Sequence, residues 1–178
     1  VPAPPCPPHN GRQGFSCRPG DLARMSVPTL PMIRRAATAD APLVRTLSRD
    51  AYAKWVPLIG REPWPMTADY DAAVRDHLID LLRVGSDTVG LIEMIPQPDH
   101  LLIENVTVAP IHQGRGHGRL LMAHAERVAT SLGQTVIRLY TNQRFAENIA
   151  LYLRLGYAID REETLPAGTV VHMAKRLQ

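Results

Sequence analysis

The residues Gln113-Gly114-Arg115-Gly116-His117-Gly118-Arg119 place three glycines at alternate positions, between an apolar run and an amphipathic pattern of helical period. Glycine removes the side chain where a backbone must approach a ligand closely. Successive amides in such a loop can turn inward as a concave anion nest at the positive end of the next helix. The chemistry this suits is phosphate binding without a dedicated lysine. Two familiar phosphate loops fail on identity: a dinucleotide fingerprint from Gly114 needs glycine where Arg119 stands, and a P-loop needs Gly-Lys where Arg119 and Leu120 stand. The pattern that does fit is Q-x-x-G-x-G, in Gln113, Gly116 and Gly118. Shortly before it, Glu104 interrupts an apolar run on a face read as shared with Leu102 and Val106. An acid there is costly unless solvated or used. It reads either as a general base, acting directly or through water, or as an outward carboxylate paired with an arginine.

Stepping along the chain, Leu101 to Val108 reads as a strand ended by Pro110. The glycine loop follows, then a helix from about Gly116 to Leu132 with Leu121, Ala125, Val128 and Leu132 as one apolar stripe. Gly133 stands where a left-handed cap would. Upstream, Met32 to Ala36 reads as a strand, and Asp40 with Pro42 opens a helix bearing Leu43, Val44, Leu47 and Tyr52. Trp55 to Met66 is broken by Pro57, Gly60, Pro63 and Pro65, and a second helix opens at Thr67 or Asp69. Leu78 to Val84 and Thr88 to Ile95 read as strands on either side of a Gly-Ser-Asp turn. Thr135 to Thr141 is a further strand, Ala146 to Leu155 a short helix, and 158–164 with 169–176 a closing hairpin. The order β-α-α-β-β-β-α-β-α-β-β predicts an α/β chain, with a mixed sheet flanked by helices.

With these residues in place, the sequence resembles the GCN5-related N-acetyltransferase (GNAT) superfamily, over about residues 32 to 178. Two motifs carry the resemblance. One is the Gln113 to Gly118 signature after the fourth strand; the other is Asn148-Ile149-Ala150-Leu151-Tyr152-Leu153-Arg154-Leu155-Gly156-Tyr157. Many relatives place the asparagine seven residues before the tyrosine, where this chain has Phe145. Asn148 is four residues before Tyr152 and shares its helical face. Asn142 is the second candidate.

The resemblance implies a mostly antiparallel sheet of six or seven strands, with splayed central strands and about four helices. It also implies a reaction: transfer of the acetyl group of acetyl-CoA to a primary amine of a small molecule or peptide, by direct attack in a ternary complex. The alternative is a non-catalytic acyl-CoA binding or sensing module. The cofactor loop would comprise Gln113, Gly114, Arg115, Gly116, His117, Gly118 and Arg119, with Asn148 as a further contact. The backbone of Val106, Thr107 and Val108 would hold the pantetheine arm and the acetyl carbonyl. For Arg115 and Arg119 the other reading is a solvated helix surface. Tyr152 is the candidate general acid for the leaving thiolate, or else a tyrosine packed under the sheet with its hydroxyl on a carbonyl. A thiol titrates near 8.5 and a phenol near 10, so that proton transfer is uphill by roughly 1.5 units. Glu104 is the candidate base, and a terminal α-amine, roughly 10% neutral at pH 7, would ask less of it than a lysine-like amine. Tyr52, Trp55, Trp64, Met66 and Tyr70 would form the acceptor pocket, or belong to the core.

Composition narrows the classes. The 178 residues are 45% hydrophobic, enough for one core. No apolar run approaches the ~18 residues of a membrane span, and the start reads as lacking a secretory signal. The net charge is +3, but the basic residues are scattered arginines with only Lys54 and Lys175 as lysines, which argues against nucleic acid. Cys6 and Cys17 both lie in the opening segment. The remainder therefore needs no disulfide, fits a reducing cytoplasm and offers no zinc-ligand spacing. Residues 1 to about 30 are proline-dense and are expected to be disordered; Met25 suggests that the first 24 are an upstream extension. The catalytic domain is expected over 31–178, as a monomer or homodimer, with no metal.

Overall fold

The computed structural model describes residues 30–178. The expectations for the proline-dense segment and for Cys6 and Cys17 lie outside the described residues. Seven strands, β1 (Met32–Arg35), β2 (Leu78–Val84), β3 (Asp87–Pro96), β4 (Leu101–Val108), β5 (Val136–Asn142), β6 (Ala158–Leu165) and β7 (Gly168–Arg176), form one sheet in the order β1-β2-β3-β4-β5-β7-β6. Every neighbouring pair is antiparallel except β4 and β5. That parallel pair needs a crossover, supplied by α4 (His117–Ser131). The other helices are α1 (Ala41–Tyr52), a single turn α2 (Val56–Ile59), α3 (Tyr70–Asp76) and α5 (Ala146–Arg154). The expected element order and the mixed sheet are present, and the proline-broken stretch from Trp55 to Met66 folds as short helical turns.

The sheet is covered on both faces. One side packs Leu82, Val89, Ile92, Met94, Leu101, Ile103, Ile137 and Leu139 against Leu121, Met122, Ala125 and Ala129 of α4. The other packs Ile79, Leu81 and Leu91 against Val44 and Leu47 of α1 and Tyr70 and Ala73 of α3. The α4 stripe ends earlier than its periodicity suggests. Leu132 caps the helix and is 47% exposed, because the chain leaves the helical axis there. Gly133 takes φ +73° and donates its amide to Thr130, while the Gln134 amide bonds Ala129, the paired bonds of a left-handed glycine cap. Asp40 precedes α1, but its carboxylate is turned away from that helix, to Arg34 at 2.8 Å and the Ala37 amide at 2.7 Å.

The pairing of β3 with β4 contains the irregularity that matters most. Glu93 pairs with Asn105 and Met94 with Ile103, so Glu104 has no partner and forms a bulge. Before it, Leu101 and Ile103 face α4; beyond it Val106 and Val108 do. Asn105 instead meets Ser48 of α1 and Tyr70 of α3. Glu104 therefore does not share a face with Val106, as unbroken alternation implied, because the extra residue resets the register. Close approach of these strands also explains Gly90: a Cβ there would lie 2.5 Å from the Thr107 carbonyl oxygen.

Candidate active site

β4 and β5 pair only at Leu101↔Ile137, Leu102↔Arg138 and Ile103↔Leu139. Past Ile103 the strands part, so the β5-facing edge of β4 from Glu104 to Val108 keeps its hydrogen-bonding groups free of that neighbour. Two cavities occupy the opening. They are lined in common by Tyr52, Val106, Asn148 and Tyr152.

The larger cavity, about 600 Å³, runs from this junction along the glycine loop to the start of α4. Gln113 lines it, and its Nε2 donates to the Val108 carbonyl at 2.9 Å, closing the loop onto the strand. Gly114 and Gly116 take φ +75° and +84°, a region costly for residues with a Cβ. Gly118 needs no such freedom. A Cβ there would meet only Leu151, at 3.7 Å, so its missing side chain keeps the cleft open rather than the fold intact. The first residues of α4 line this space, and a helix N-terminus is a favourable seat for phosphate. His112, His117 and Arg119 line it, while Arg115 is exposed and does not. His117 Nδ1 is buried without a partner. Burial, then the charges of His112 and Arg115, lower the His117 pKa, keeping the ring neutral at neutral pH.

The smaller cavity, about 140 Å³, lies between the parted strands. Glu104 lines it together with Tyr140, whose hydroxyl donates to the Glu104 carboxylate. The arginine partner of the alternative reading is therefore replaced by a tyrosine. Trp64, Phe145 and Asn142 complete the wall. Of the five aromatic and apolar residues expected around an acceptor, Tyr52 and Trp64 line this cavity and three do not. Trp55 stacks on Phe145 (centroids 4.4 Å apart, planes at 23°) and faces the larger cleft. Met66 is buried, its carbonyl held by Arg49 at 2.8 Å. Tyr70 is core, its hydroxyl donating to the Pro65 carbonyl at 2.7 Å, and burial first raises its pKa to about 12.

Tyr152 sits at the junction by way of a helix cap. Gly156 takes φ +86°, its amide bonds Leu153, and the Tyr157 amide bonds the Tyr152 carbonyl at 3.0 Å, so the Gly-Tyr pair fixes the end of α5. Burial raises the Tyr152 phenol above its ordinary pKa. Asn148, one turn before it, lines both cavities; Asn142 instead accepts from the Arg144 amide at 2.9 Å. At position 145 the ring of Phe145 packs between Trp55 and Tyr52, building an aromatic wall instead of a polar contact.

Sequence reasoning missed Asn105. Its Oδ1 accepts from the Tyr52 hydroxyl at 3.1 Å and from Thr107 Oγ1 at 3.0 Å, and its Nδ2 donates to Ser48 Oγ at 3.1 Å and to the Tyr70 hydroxyl at 3.2 Å. This buried amide ties α1 and α3 to β4 and so holds Tyr52 at the junction. The signal available was a second polar residue beside Glu104 in an apolar strand. Among the described residues no cluster of three or more His, Cys, Asp or Glu could hold a metal, and no helix is long and apolar enough to cross a membrane.

The sequence model of the acetyltransferase (GNAT) family matches residues 44–157. A streptothricin acetyltransferase of Streptomyces lavendulae is 41% identical over 58 residues, covering 33% of this chain and 31% of that one. The chain thus spans about a third of that relative's length. The fold is shared with the PaiA N-acetyltransferase of Thermoplasma acidophilum, solved in complex with coenzyme A (TM-score 0.71, 17% identity, 83% of this chain and 99% of that one). It is shared too with the ribosomal-protein-S18-alanine N-acetyltransferase of Escherichia coli (TM-score 0.68, 20% identity, 84% and 95%).

Proposed function

This chain belongs to the acetyltransferase (GNAT) family, and from that premise we propose that it moves the acetyl group of acetyl-CoA directly to a primary amine held in the smaller cavity. The observation that carries this reading is the meeting of two cavities at Tyr52, Val106, Asn148 and Tyr152, beside strand edges left free by the parting of β4 and β5.

The larger cleft fits acetyl-CoA on two observations: the glycine cradle that a Cβ at Gly118 would enter, and the buried unpartnered His117 Nδ1. The residues that would hold it are the amides from Gly114 to Gly118, with Arg119 and His117 at the phosphates. Asn148 and the backbone groups of Val106 to Val108 that β5 leaves unpaired would serve the arm. When bound, it supplies an acetyl thioester open to nucleophilic attack.

The chain's own groups supply positioning and proton control. Free backbone donors near Val106 can stabilise developing negative charge, the usual source of large rate gains in acyl transfer. Glu104, its carboxylate oriented by the Tyr140 hydroxyl, takes the proton that the amine loses. Tyr152, held protonated by burial, donates at the junction. That burial makes full transfer to a thiolate more uphill than for a free phenol, so Tyr152 serves first as a hydrogen-bond donor. A pocket of about 140 Å³ with aromatic walls supports a compact amine rather than a long peptide.

The test is thiol release from acetyl-CoA with phenylethylamine, 1,4-diaminobutane, an alanine-initiated tripeptide and streptothricin, the last named for the S. lavendulae relative. Turnover that saturates in one amine supports the reading. Tight coenzyme A binding with no turnover of any amine would sink it in favour of a sensing module.

A further inference from the structure

On the α1 and α3 side of the sheet, below the acceptor pocket, lies a third cavity of about 160 Å³. Trp64, Pro65, Glu104 and Asn105 line both it and the acceptor pocket, so Glu104 stands in the wall between them. Glu93 of β3, the cross-strand partner of Asn105 and only 4% exposed, also lines it. Its Oε1 lies 2.6 Å from Nδ1 of His77, the residue that ends α3. The His77 side chain is 29% exposed and so reaches solvent. The β4 bulge produces this juxtaposition, because the unpaired Glu104 sits between the partners of Glu93 and Met94.

We propose that Glu93 and His77 form the proton outlet of the acceptor pocket, acting through Glu104 rather than on the substrate; this rests on the acetyl-transfer reading above. Each turnover delivers one amine proton to Glu104, which must be ionised again before the next amine can react. The bound acceptor blocks the pocket side. The third cavity is mainly apolar, but Glu104, Asn105, Glu93 and His77 stand in its wall with room for water between them, and it offers a route on the other side. The proton passes from Glu104 through water to the Glu93 carboxylate, on to the His77 ring, and from the ring to solvent. One proton enters at Nδ1 and one leaves from Nε2, so the charge of the pair is restored and the ring regains its starting tautomer by exchange with solvent before the next cycle.

A purely structural role explains the pair less well. A buried carboxylate is costly, and apolar residues would seat the end of α3 at least as well. Burial raises the Glu93 carboxyl, His77 opposes that shift, and the Glu104 charge adds to it, which suits a group that takes up a proton in passing. The titratable groups sharing this cavity are Glu104 from β4, and Asp69, Tyr70 and Asp76 at or in α3; no lysine or arginine lines it among the described residues.

Glu93→Gln and His77→Asn test the outlet. Both are expected to lower kcat about tenfold at neutral pH with both KM values unchanged, to displace the acidic limb of the pH–kcat profile, and to recover with a small imidazole buffer. A loss that buffer does not restore, with the parental profile retained, would mean that the pair merely seats α3 and would overturn the proposal. So would full activity in both variants. A second readout needs no turnover. Coupling across the cavity predicts that Glu104→Gln lowers the NMR titration midpoint of the Glu93 carboxyl, since a negative charge that raises it is lost; an unmoved midpoint refutes the coupling. If the parent acetylates no amine, the acetyl-transfer reading fails by itself, and the carboxyl titration still decides whether Glu104 and Glu93 communicate.

Discussion

The donor cleft and the acceptor pocket meet at four residues yet are built by different means. The phosphate end of the donor cleft is largely a backbone device, made by one stretch of chain from Val106 to Arg119, while side chains from the end of α1 and from α5 form its other walls. The acceptor pocket is a side-chain device, assembled from α1, the Ile59 to Pro65 stretch, β4, β5, β7 and α5. A backbone cradle recognises what every acyl-CoA shares. A wall of side chains from distant segments can change without disturbing that cradle, so selectivity for the amine is expected to reside there.

Four experiments would break or sharpen this contrast. The largest effect is expected where the donor cradle is anchored. α4 is held to the sheet by Asp80 of β2, 3% exposed, which bonds His124 at 2.7 Å and Arg35 at 2.6 Å. Breaking a buried ion pair from one side costs about 3 kcal/mol, so Asp80→Ala should lower the denaturant midpoint by that equivalent. Burial would raise the Asp80 carboxyl, but the bonds from His124 and Arg35 outweigh it and hold the pKa down. The contribution is thus fully present above the ordinary aspartate pKa of about 3.9 and is lost as pH falls through the lower folded value. Acid titration of parent and variant should therefore converge at low pH; a constant gap would remove Asp80 from the account.

At the junction, Tyr152→Phe should reduce kcat about 100-fold while leaving coenzyme A affinity intact, as expected for loss of a proton-holding group. Retention of a third of the parental rate would show that water supplies the proton. In the cradle itself, Gly118→Val should weaken coenzyme A binding about tenfold by calorimetry, worth about 1.4 kcal/mol, with little change in Tm. If Tm collapses instead, Gly118 serves the fold after all. The smallest effect divides the tryptophans. Trp55→Ala should raise the acetyl-CoA KM, and Trp64→Ala the amine KM, each about threefold for a lost partly exposed contact. Equal effects of both on one substrate would erase the distinction between the two cavities.

Legibility followed the same division. The loop from Gln113 to Arg119 was readable because left-handed backbone and absent side chains are properties of residue type at a position, requiring no knowledge of the neighbours. The cap at Gly156 and Tyr157, the proline-broken stretch and the mixed sheet were readable for the same reason. Trp55, Met66 and Tyr70 lie on the segment that supplies the acceptor pocket, yet none of them lines it. Which way each points depends on Phe145 and Arg49, tens of residues away in the chain or on another element.

By itself, then, the sequence determined the family, the order of elements, the phosphate cradle and the placing of Tyr152 and Asn148 on one helical face. These are short-range consequences of glycine, proline and helical period. Only the tertiary structure decided which face Glu104 and Asn105 share, and hence that Glu104 stands between the acceptor pocket and the Glu93–His77 cavity. Burial along β4 alternates without a break from Leu101 to Val108, although the faces exchange at the bulge. A bulge is a relation between two strands, and a pattern read along one strand has no term for its partner.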